Sequence, residues 1–295
     1  MSLSNQNGRA LEYIIVDKIL CEASQNCRVT DRARIDQERD ISKFNSLSDE
    51  MKNNFILASQ RIYSWLTNQY SFGSNTFILD RLPDSDAQYS NPTDISIDIN
   101  NQTINLSIKH NHYATKHQRP ASLAQHVGII KGDSEDIAYR LRHKRICNKF
   151  HNHVRSISND FKKFNEVKEY NSELIDRNLY KPVCEDVITF LSNSKNNIER
   201  VLHLFKFLVG DRDFYKFIVK GQSTYLMNFS AIKNPTSFDI RLLDSSHIEI
   251  EFDNNWIFNM RLHTASSQMS GCNKNGCSLK FDTQLSNEPL VEIEM

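Results

Sequence analysis

The chain has 295 residues, of which 39% are hydrophobic and 24% charged, an ordinary globular balance. Only 8 Gly and 6 Pro exclude collagen-like and Gly/Pro-rich disordered classes, and no run approaches the roughly 20 apolar residues of a membrane helix. Formal net charge is zero, so bulk charge does not mark a nucleic-acid binder.

In chain order, residues 8–22 repeat Leu11, Ile14, Ile15 and Ile19 at helical spacing. Residues 24–45 are polar and charge-rich and are helical in part at most. A second helix is expected over 48–69, with Ser48 as N-cap and Phe55, Ile62, Trp65 and Leu66 as its apolar stripe. Residues 76–82 form a strand, and 83–92 a loop by composition. Residues 93–99 and 103–109 then alternate polar and apolar side chains around Asn-rich turn residues, a hairpin pattern. A short helix is expected over 121–131 and helical segments over 134–167 and 185–209. Strands return at 237–243, 248–252 and 256–262. This order predicts an α/β chain, a single domain with a largely helical middle segment at about 133–215 and late strands at about 237–285.

The charge is uneven. Residues 109–163 hold 12 Lys/Arg and four acids, a net of +8, with seven of the ten His. A local basic field in a neutral chain suits a polyanion-binding face, and a solvated helix surface is the plain alternative. The six cysteines do not form a disulfide scaffold, and the first 20 residues lack a signal peptide's order of parts. A bacterial cytoplasmic location is the expectation.

Strand parity makes the hairpin a candidate metal site. A turn at Asn101–Gln102 sets Asp94 opposite Lys109. A turn at Asn100–Asn101 sets it opposite Ser107. Either register puts Asp94, Ser107 and Lys109 on one face and the isoleucines on the other. A carboxylate that holds Mg²⁺ and a lysine that orients water or offsets developing charge suit phosphodiester hydrolysis. An exposed salt bridge is the alternative that alternation leaves open.

Pro92-Thr93-Asp94, twelve residues, then Ser107-Ile108-Lys109 resembles the PD-(D/E)xK signature. Ser107-Ile-Lys-His-Asn-His112, continuing through Lys116-His117-Gln-Arg119-Pro120, resembles the HaeIII-type restriction endonuclease family more narrowly. Gly8-Arg-Ala-Leu-Glu-Tyr13 is similar to the opening helix of such enzymes. Phe258 to Ser266 and Ser278 to Asp282 are similar to their late strands. The resemblance implies a mixed central sheet flanked by helices (α/β/α). It also implies a Mg²⁺-dependent type II endonuclease cutting duplex DNA at a short palindrome such as GGCC, working as a homodimer or by sequential nicking. Asp94 would be the metal-binding acid, Lys109 the catalytic lysine, and Ile108 would offer its carbonyl to the metal. Ser107 stands where the pattern has Glu or Asp, so a second carboxylate is required. Glu12 is the candidate that the resemblance implies, because similar folds supply an acid from an early helix packed beside the hairpin, while Asp98, on the correct face, lies about 13 Å along the strand. His110, Asn111, His112, Lys116, His117 and Arg119 would enter the DNA cleft, with Arg261 and His263 reading bases or supporting the site.

His110-Asn111-His112 and His151-Asn152-His153 are not HNH nuclease motifs. Cys272 and Cys277 lack a second spaced pair, so zinc is not expected. A structure-specific repair nuclease and a non-catalytic DNA-binding module are the competing functions.

Overall fold

Leu11, Ile15, Val16 and Ile19 recur every three or four residues and are buried on one side of the first helix, α1 (Leu3–Ala23). The computed structural model describes residues 3–70, 72, 75–83, 92–230, 233–269, 276–287 and 291–294. By internal contacts the chain divides into two units. One comprises 1–113, 210–232 and 288–295, the other 114–209 and 233–287.

The first unit holds α1, β1 (Cys27–Val29), α2 (Asp31–Asn45), α3 (Asp49–Tyr70), β2 (Phe77–Arg81), β3 (Ile95–Ile99) and β4 (Gln102–His110). Residues 24–45, expected to be helical only in part, thus contain a short strand and a full helix. Thr30 caps α2 by accepting the Ala33 N–H. Ser48 caps α3 as expected, accepting the Met51 N–H at 3.3 Å. The expected loop at 83–92 lies largely outside the described residues.

β3 and β4 form the expected antiparallel hairpin, with Ile95 opposite Leu106 and Ile99 opposite Gln102. Asn100 (φ 51°) and Asn101 (φ 61°) make the turn. Both lie in the left-handed region that primed hairpin turns require and that Asn tolerates. This selects the register that sets Asp94 opposite Ser107.

The remaining strands of this unit were not anticipated. They are β6 (Phe214–Lys220), β7 (Ser223–Phe229) and β12 (Val291–Glu292), beside which the seven-stranded sheet runs β1-β2-β3-β4-β6-β7-β12. β6 pairs with β4 in parallel, Ser107 beside Lys216 and Lys109 beside Ile218. β4 is therefore central, and residues 104–108 are buried on both faces. Helix α1 packs against α2, α3 and β4.

The second unit begins with β5 (Lys116–Gln118), a 3₁₀ turn (Pro120–Ser122) and α4 (Leu123–His126). The helical middle segment follows as α5 (Ser134–Ile157), α6 (Phe164–Tyr170), α7 (Ser172–Ile175), α8 (Lys181–Ser192) and α9 (Ile198–Val209). The expected long runs break at 158–163 and 193–197. The late strands β8 (Phe238–Leu242), β9 (His247–Phe252), β10 (Ile257–Thr264) and β11 (Leu279–Leu285) do not join the first sheet. They form a five-stranded sheet of their own, β5-β11-β10-β9-β8, against which α8 packs. The mixed α/β class holds, with the strands divided between two sheets.

Candidate active site

Asp94 sits just ahead of β3, where its backbone N–H donates to the Leu106 carbonyl at 2.8 Å and fixes the residue beside β4. Three donors from β4 converge on its Oδ2: the Ile108 N–H at 2.6 Å, Lys109 Nζ at 2.8 Å and, at the long limit, Ser107 Oγ at 3.4 Å. The N–H and C=O of one strand residue face the same neighbour. The Ile108 carbonyl therefore points to the Asp94 side, past the end of β3, and not into the ladder with β6. The Asp94 and Lys109 side chains keep 19% and 34% exposure, so a large polyanion can reach them.

Glu12 comes to this site from α1. Burial and the Asp94 charge push its carboxyl up to about 7, against the pull of Arg81 and Lys109. Arg81, itself buried, donates to Glu12 at 2.7 Å, to Asp40 at 2.9 Å and to Gln37 at 3.0 Å. Arg39 and Lys43 also hold Asp40, whose carboxyl falls to about 2 despite its burial. The network anchors Glu12 to β2 and α2. Asp98, at the turn end, instead accepts a hydrogen bond from Thr103 at 2.6 Å.

Sequence reasoning missed Lys216. It lies on β6 beside Ser107, is buried, and donates Nζ to the Tyr113 carbonyl at 2.9 Å. Burial first, then the Lys109 charge, lower its ammonium to about 7. Its signal was a lysine inside the apolar run Phe214-Tyr-Lys-Phe-Ile-Val. Arg81 carried the same kind of signal, falling on the apolar parity of Phe77 and Leu79.

The remaining candidates divide between the units. His110 packs edge-on against Phe55 at 5.1 Å, and burial lowers its basicity. Asn111 turns the chain at φ 55°, its N–H on the Val219 carbonyl at 2.9 Å and its side chain 3.1 Å from His110. His112 is half-buried. These three belong to the first unit and Lys116 onward to the second. Lys116 lays its ammonium over the Phe207 ring at 4.7 Å, and burial lowers its basicity. Arg119 donates to Ser278 at 3.3 Å.

On the five-stranded sheet, His117, Asp282 and Arg261 are register partners across β5, β11 and β10, and Lys280 partners His263. All five therefore share one face. Asp282 lies 2.5 Å from His117, 2.8 Å from His263, 3.8 Å from Lys280 and 4.0 Å from Arg261. The structure thus gathers His117 with Arg261 and His263, far from it in sequence, around one carboxylate. The basic middle segment is partly neutralised, Arg140 by Asp136 and Arg142 by Asp186, whereas Lys144, Arg145 and Lys149 stand exposed on α5.

Among the described residues no group of three or more His, Cys, Asp or Glu side chains stands arranged around a metal position. The Asp94 site offers oxygen donors instead: two carboxylates near enough for one to raise the other's proton affinity, and a carbonyl facing them. That donor set fits a hard divalent cation, which would offset the carboxylate repulsion.

Residues 8–234 match the sequence profile of the HaeIII restriction endonuclease family. The chain belongs to that family. It is 22% identical over 323 aligned residues to the type II restriction enzyme HaeIII of Haemophilus aegyptius, with 98% of this chain and 96% of the relative covered. No solved structure matches it. The HaeIII family places the chain among type II site-specific deoxyribonucleases, which bind and cut DNA. The matched span contains Glu12, Asp94, Lys109 and Lys216, and ends before Arg261, His263 and Asp282. Among the described residues no helix is long and apolar enough to cross a membrane.

Proposed function

We propose that the chain is a Mg²⁺-dependent endonuclease of the PD-(D/E)xK type, with its active site at Asp94, Lys109 and Glu12. The observation that carries this reading is the convergence of Lys109 Nζ and the Ile108 N–H on Asp94 Oδ2, beside a second acid, Glu12. Asp94, Glu12 and the Ile108 carbonyl would hold the ion. When bound it supplies a Lewis acid for the scissile phosphate. Hydrolysis joins a water oxygen to phosphorus and breaks one phosphorus–ester bond. Lys109 orients that water or offsets the negative charge growing on the phosphoryl oxygens. Ser107 is too poor a ligand to replace an acid, and its hydroxyl supports Asp94 only at long range.

The duplex would meet His117, Arg261, His263 and Lys280 on the five-stranded sheet, and Arg119 beside them. His110, Asn111 and Lys116 carry ring, turn and cation–π contacts that suit positioning. We take the target to be a short palindrome such as GGCC, cut by a homodimer or by successive nicks, in a bacterial cytoplasm, whose reducing conditions suit thiols outside disulfides. Digestion of a plasmid of known sequence with Mg²⁺, followed by sequencing of the fragment ends, tests the reading. It predicts discrete fragments ending at one short palindrome. Smears or structure-dependent nicks would favour a repair nuclease, and intact plasmid with both Mg²⁺ and Mn²⁺ would leave only a binding module.

A further inference from the structure

His143 and Cys147 lie four residues apart on α5, so they stack on one face of the helix. Both are buried, and His143 Nε2 is 3.7 Å from Cys147 Sγ. The segment ahead of β11 brings in Cys277, also buried, whose thiol and backbone N–H both hydrogen-bond to Cys147. Gly276 lies against the pair: a Cβ built there would be in ordinary contact with Cys147 Sγ at 3.6 Å and the His143 ring at 3.7 Å. Its φ of 82° suits glycine, so the backbone is turned to pass close to the sulfur. Neither cysteine is in a disulfide.

Zinc bonds of about 2.3 Å to sulfur and about 2.0–2.1 Å to nitrogen put two donors on a tetrahedral ion roughly 3.6 Å apart. The His143–Cys147 separation of 3.7 Å is that tetrahedral edge. Sequence spacing set zinc aside because no second pair accompanied Cys272 and Cys277. Helix α5 supplies one from a distant part of the chain. Cys272 itself lies outside the described residues.

We propose that His143, Cys147 and Cys277 are ligands of a structural zinc ion that ties α5 to the start of β11. Three nitrogen and sulfur donors suit Zn²⁺ and not the oxygen-seeking cation of the Asp94 site. The donors now hydrogen-bond to one another and do not stand apart as a finished cage. On binding, the ion takes the place of the thiol protons, which leave to solvent.

Elemental analysis of untagged full-length protein, purified without chelator and dialysed, is the test. Close to one zinc per chain is expected, released when a mercurial blocks the thiols. Cys147→Ser and Cys277→Ser should each lose at least tenfold of it. Cys21→Ser, which removes an exposed thiol on α1, should retain it. Should the serine variants fail to fold, cobalt loading of the wild type decides the matter through a thiolate-to-cobalt charge-transfer band. Protein that neither contains zinc nor takes up zinc or cobalt overturns the proposal. So does full zinc retention by both serine variants, or a Cys147–Cys277 disulfide in the protein as purified.

Discussion

Asp94 and Lys109 were legible from strand parity because side-chain direction in a strand depends only on whether positions are odd or even. Glu12 could not be derived that way, since its place depends on how α1 packs over β4. The resemblance supplied it, and the structure sets its carboxyl near enough to feel the Asp94 charge, which with burial raises it to about 7. Lys216 was missed for another reason: its apolar run marks it as buried, but nothing in the sequence says that β6 pairs with β4. Its ammonium falls from the ordinary 10.5 to about 7. Between those values the unfolded chain holds a proton that the folded chain has released. Stability therefore rises as pH rises through that window. Urea midpoints at pH 7 and 9.5 should show wild type gaining on Lys216→Met, and parallel changes in the two proteins would refute the buried lysine's role.

At the level of elements, hairpins and amphipathic helices were readable because their patterns are local. β1, β5 and β12 were missed because strands of two or three residues carry too little periodicity. β6 and β7 were missed because apolar runs without alternation do not declare a strand. The Arg81 network joins β2 to α1 and α2 and sets where Glu12 stands. Removing one member of a buried ion pair costs about 3–5 kcal/mol, because the partner charge stays buried. Arg81→Met should lose that much in urea denaturation. A loss near zero would mean that the network does not hold the three elements together.

For the whole molecule, zero net charge hides a segment of +8. The mixed α/β class followed from element order, but the division of strands between two sheets did not, because alternation does not say which strands pair. His117, Arg261, His263 and Lys280 share a face only through that second sheet. If this face meets DNA, counterion release makes binding salt-sensitive. Two neutralised phosphates already imply roughly a tenfold loss of affinity for a mixed-sequence duplex between about 50 and 200 mM salt. Arg261→Ala should flatten that slope, and an unchanged slope would move the contact elsewhere. Whether the site at Asp94 cuts the DNA that the chain binds is tested most directly by Lys109→Ala. Cleavage and duplex binding are measured side by side with Mg²⁺ present. Cleavage should fall by about 10²–10³ or more, as for loss of a charge-stabilising donor, with affinity within a few-fold of wild type. Cleavage at the wild-type rate in Lys109→Ala would contradict the proposed site.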